Sequence, residues 1–104
     1  MPPSNSPLAY GDIRTCADRA LANGRGVTLR VHSHGEAVSE RARFYKMREL
    51  DRRASTKVFP SDDPRHGVSA YDRLVVSVAA DGDQIVLLFE VATAERLEER
   101  IEEL

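Results

Sequence analysis

The sequence predicts an α+β domain, a small three-stranded sheet with helices packed on one face in the order α-β-α-β-β-α. Three observations carry this. Apolar residues recur at spacings of three and four from Ile13 to Leu21, they alternate with polar ones through "GVTLRVHS", and the apolar runs "RLVVSVAA" and "QIVLLFEV" meet across Asp81-Gly82. At 104 residues the chain holds one modest core. It divides into a tail over 1–7 and a single domain over 8–104.

The tail expectation rests on "MPPSNSP", in which proline and small polar residues leave nothing to bury. Ile13, Cys16, Ala17, Ala20 and Leu21 then share one face of a first helix that stops at Asn23-Gly24. In the strand that follows, Val27, Leu29 and Val31 point one way and Thr28, Arg30 and His32 the other. Ser33 stands three residues before Glu36, a capping-box spacing, so a second helix should run from about His34 to Arg53. Residues 54–72 hold two prolines, a glycine and paired aspartates without sustained period, which predicts a long loop with room for a short strand near Lys57 to Phe59.

In the hairpin, Leu74, Val76, Val78, Ile85, Leu87 and Phe89 form one face, and Val75, Ala79, Val86 and Leu88 partly cover the other. Helices shield only one side of so small a sheet, so the second face of the hairpin strands is a candidate homodimer surface. Thr93 can cap a last helix, "AERLEERIEEL", with a narrow stripe of Leu97, Ile101 and Leu104.

Charge is unevenly placed. The formal net charge is −2, yet seven basic residues fall between Arg41 and Lys57 and eight acidic ones between Asp81 and Leu104. Arg41, Tyr45, Arg48 and Arg52 are spaced by four, three and four, which sets them in one row along the second helix. Phe44, Met47 and Leu50 occupy another side, so the row is expected to look outward while those three meet the sheet. Guanidinium groups suit phosphate, and a tyrosine among them can stack on a base or bond a phosphate oxygen. Arg30, Arg43, Lys46 and Arg53 would enlarge the positive field. The expected function is therefore nucleic-acid binding through backbone phosphate, with affinity that falls steeply with salt.

Two other readings compete with it. Glu40, Glu49 and Asp51 are local partners that would make the arginines an ordinary solvated face. Glu95, Glu98, Glu99 and Glu102 form an acidic row in the last helix that can dock on the basic one or engage a basic partner, which makes the chain a protein-interaction module or inhibitor.

Catalytic and metal chemistry find little support. Cys16, the only cysteine, reads as a small buried residue; it allows no intramolecular disulfide, and with the absence of a leader-like or membrane-spanning segment it points to the cytoplasm. His32 and His34 straddle a helix start, and nothing fixes His66, Asp62 or Asp63 beside them. "GRG" at Gly24 to Gly26 follows a helix and precedes a strand, the reverse of a phosphate-cradling turn. No cofactor, no metal and no enzymatic activity are expected.

The segment "ALANGRGVTLRVHSHGEAVSERARFYKMRELDR" resembles small uncharacterised proteins of tailed bacteriophages and prophages, over residues 20–52. The matching positions are Gly24, Gly26, Arg41, Arg43, Tyr45, Arg48 and Arg52. The resemblance implies an accessory phage role, either handling nucleic acid or interfering with a host machine.

Overall fold

The computed structural model describes residues 10–92. The expected tail and last helix fall on 1–9 and 93–104, outside the described residues. Within them the order is α1 (Gly11–Asn23), β1 (Gly26–Arg30), α2 (His34–Val58), β2 (Leu74–Asp81) and β3 (Gln84–Val91). The sheet is antiparallel throughout with β3 in the middle, in the order β1-β3-β2.

Helix α1 buries Ile13, Ala17 and Ala20, the stripe its sequence predicts. It ends because Gly24 takes a left-handed conformation, φ 72°, and its N–H returns to the Ala20 carbonyl. Gly26 then brings β1 against β3 so closely that a Cβ there would lie 2.3 Å from the Phe89 carbonyl oxygen. Only glycine fits that approach.

Ser33 caps α2 by accepting the Glu36 N–H, while the Glu36 carboxylate turns back to accept the N–H of His32. The helix does not stop near Arg53. It runs on to Val58, and the strand expected near Lys57 to Phe59 is its last turn. Nothing in "ASTKV" breaks a helix. Pro60 does, because it forces the preceding Phe59 into an extended conformation, φ −109° and ψ 139°.

β2 and β3 form the expected hairpin, Val76 beside Phe89 and Ser77 beside Leu88, but the two-residue turn is Gly82-Asp83 rather than Asp81-Gly82, because Gly82 alone supplies the positive φ, 65°. Leu74, Val76, Leu87, Phe89 and Val91 fall on the face that receives α1 and α2. Phe44 is fully buried there and meets Tyr45, Tyr71 and Phe89 edge to face. Both helices thus cover one face of the sheet. Among the described residues no helix is long and apolar enough to cross a membrane.

Candidate functional site

An edge strand turns the backbone N–H and C=O of every second residue away from its neighbour. The Val31 N–H bonds the Ile85 carbonyl, which fixes the alternation across the sheet. On β2, Val75, Ser77 and Ala79 therefore pair with β3, while Leu74, Val76, Val78 and Ala80 turn outward.

The arginine-tyrosine row meets those outward groups. Arg48 donates to the Leu74 carbonyl at 3.2 Å, and Arg41 Nε donates to the Val76 carbonyl at 2.8 Å. The Tyr45 hydroxyl donates to that same carbonyl and accepts the Val76 N–H, both at 3.3 Å. Arg52 closes the row with Asp72, its Nε and Nη2 at 2.8 and 2.7 Å from one carboxylate oxygen. The row does not look outward as expected; it folds over the first half of the β2 edge. The physical reason is that an uncovered backbone group at a packed edge costs about 1–3 kcal/mol, and arginine and tyrosine are long enough to reach it from the helix.

The guanidinium of Arg48 also lies 4.7 Å from the Tyr45 ring centre, and its side chain is only 17% exposed. Arg41 stacks over Tyr45 as well, yet remains exposed. Arg43 faces the other way, toward α1, between Asp12 and Glu40. Lys46 and Arg53 point to solvent from the outer side of α2, Arg53 with Glu49 at 3.6 Å. Arg30 stands exposed on β1, on the opposite edge of the sheet. The eight expected site residues are thus spread over four surfaces, and only Arg41, Tyr45, Arg48 and Arg52 act together.

Helix α1 is tied to α2 and to the loop by a second set of polar contacts. Arg14 makes a bidentate bond to Asp51 at 2.9 and 2.6 Å and lies over the Tyr71 ring, while the Tyr71 hydroxyl donates to Asp18 at 2.8 Å. The Asp51 hydrogen bonds hold the Arg14 guanidinium well above its ordinary range. Burial, then the bond to Asp18, pushes the Tyr71 phenol up. Burial also pushes the Cys16 thiol up, which suppresses its thiolate and fits its place beside the core.

The β1 edge is different. The outward backbone groups of Gly26 are taken by Asn23, which accepts its N–H and donates to its carbonyl. At the other end Glu36 accepts the His32 N–H. Between them, Thr28 and Arg30 turn N–H and C=O outward, both residues are exposed, and no described residue bonds those groups. An open hollow lined by Arg25, Gly26, Thr28, Leu88 and Glu90 lies at one end of this window, and another lined by Arg30, His32, Asp83 and Gln84 at the other.

Among the described residues no cluster of His, Cys, Asp and Glu could hold a metal ion. Comparison with known proteins finds no matching family model, no matching curated protein and no matching solved structure. Sequence reasoning missed Asp72 and the β1 window. Asp72 lies twenty residues from Arg52 with no periodic relation to it, and a backbone edge has no residue signature beyond the strand itself.

Proposed function

We propose that this chain is a protein-interaction module whose partner is another polypeptide, met along the β1 edge by strand addition. The observation that carries this is at the sheet's edges: α2 covers β2 from Leu74 to Val76 and leaves only Val78 and Ala80 outward beside the hairpin turn, whereas Thr28 and Arg30, both exposed, offer four backbone hydrogen-bonding groups midway along β1. Strand addition draws its affinity from such groups and its selectivity from the flanking hollows. The phage resemblance is compatible with this class, in which a small accessory protein engages a host or sister polypeptide.

Nucleic-acid binding is the second reading, favoured by the exposure of Arg41, Lys46 and Arg53 along α2. Arg48 and Arg52 contribute less to it, because binding phosphate would require them to release Leu74 and Asp72.

The two readings separate in one comparison. Tagged protein recovered from nuclease-treated extract of cells that also express the untagged chain should retain a polypeptide, foreign or copy. Thr28→Pro, which removes an outward N–H and leaves the β1-β3 ladder intact, should retain none. Equal retention by both proteins removes the edge reading. Salt-sensitive binding of labelled oligonucleotides that is lost in Lys46→Ala/Arg53→Ala would support the second.

A further inference from the structure

The β1 window is symmetric about Leu29. Its open groups belong to Thr28 and Arg30, and its closed ends, Gly26 with Asn23 and His32 with Glu36, stand three residues to either side. A strand that pairs here must present an equally short window, or leave its own polar groups facing the side chains that close these ends. The β1 strand of a second copy meets that requirement by construction.

We propose that the occupant of this edge is a second copy of the chain, paired antiparallel about a two-fold axis at Leu29, and this rests on the edge reading above. Thr28 of each copy stands opposite Arg30 of the other, and the two exchange four N–H···O=C bonds. The two sheets become one of six strands. No like charges face each other in this register. Arg30 of the incoming copy arrives next to Thr28, on the side whose hollow is lined by both Arg25 and Glu90, so the match of the two windows rather than charge carries the pairing.

The β2 edge leaves Val78 and Ala80 outward too, but between bulkier closures, the hairpin turn and the Arg41 and Tyr45 side chains. Pairing β2 with itself about Ala79 would set the hairpin turn, at Gly82, opposite Val76, where Arg41 and Tyr45 already occupy the backbone groups. The β1 pairing uses up both β1 edges, and the β2 groups left over, those of Val78 and Ala80, lie between the α2 side chains and the hairpin turn, so association is expected to close at two copies rather than extend into a fibre.

Sedimentation velocity on the purified protein across a concentration series tests this. Wild type should move from the mass of one chain to that of two as concentration rises, and no further. Thr28→Pro should remain a single chain with an unchanged far-ultraviolet circular dichroism spectrum. Should the proline unfold β1, two exposed substitutions still read the register: Thr28→Lys sets a lysine opposite Arg30 and should weaken association at least tenfold, and Thr28→Glu sets a carboxylate there and should tighten it. In a Cys16→Ala background, Leu29→Cys should form an intermolecular disulfide under mild oxidation, because the axis sets the two residue 29 positions directly opposite.

A wild type that stays one chain up to its solubility limit overturns the proposal. If a foreign polypeptide is nevertheless held and released by Thr28→Pro, the edge reading stands without the second copy. Association indifferent to every Thr28 variant overturns both.

Discussion

Tyr45 shows how much one side chain can decide. Its ring packs against Phe44 and receives the Arg41 and Arg48 guanidinium groups, and its hydroxyl answers both the N–H and the C=O of Val76. An aromatic residue inside an arginine row suggests a base-stacking platform when only the sequence is considered. Placed against an edge strand, the same pattern is a backbone cover. Tyr45→Phe keeps the ring and removes the hydroxyl, so both Val76 groups lose a partner and Arg41 alone remains on the carbonyl. The expected loss is about 1–2 kcal/mol, read as a lower urea midpoint with an unchanged slope.

At the level of elements, the loop between α2 and β2 is less free than its composition suggests. Successive turns tie Asp63 to Pro60, His66 to Asp63 and Asp72 to Ser69, and Arg65 lies over the Phe59 ring. Asp72 joins this loop to the helix. One of its oxygens receives Arg52 and the other accepts the Ser69 N–H. Asp72→Ala should therefore loosen the entry to β2 and lower stability by about 2 kcal/mol, and Asp72→Asn, which keeps an acceptor for Ser69 but loses the charge, by less. Thermal unfolding of the two variants side by side checks the order. Of the paired charges predicted within α2, Glu40 with Arg43 and Glu49 with Arg52 and Arg53 are present at three- or four-residue spacing, whereas Asp51, expected as a third local partner, reaches Arg14 of α1 instead.

For the whole molecule, the titrating groups predict the shape of its stability against pH. Burial pushes the Asp12 carboxyl up, but hydrogen bonds from Arg43 and the Ile13 amide outweigh it and hold it below its ordinary value of 3.8. Hydrogen bonds from Arg65 lower Asp63 in the same sense. A carboxyl depressed on folding contributes stability that is complete above its unfolded value and is lost as pH falls through the folded one, so the acid limb lies below about pH 4. Tyr71 sets the other limb. Its phenol is raised above 10.0, so the unfolded chain releases that proton first and stability declines as pH climbs past 10. Urea midpoints collected from pH 8 to 11 should fall in the wild type, and the decline should be shallower in Tyr71→Phe.

Periodicity made the elements legible because burial on one face leaves a mark at every turn of a helix and every second residue of a strand. Hence the α1 face, the two faces of the hairpin, the glycine stop at Gly24 and the Ser33 cap were all readable, while the hairpin turn falls one residue later than Asp81-Gly82, at Gly82 and Asp83, and α2 was misjudged at its end, where the break comes from Pro60 rather than from the polar run before it. The arginine row was readable as a row but not as a cover, since spacing along a helix gives the side on which residues stand and not what lies beside them. That depended on β3, the last of the described strands, taking the middle of the sheet and leaving β1 and β2 as edges. Strand order is set by long-range pairing, and it turned arginines that could have faced a phosphate toward the protein's own backbone while leaving the outward groups of Thr28 and Arg30 unbonded among the described residues.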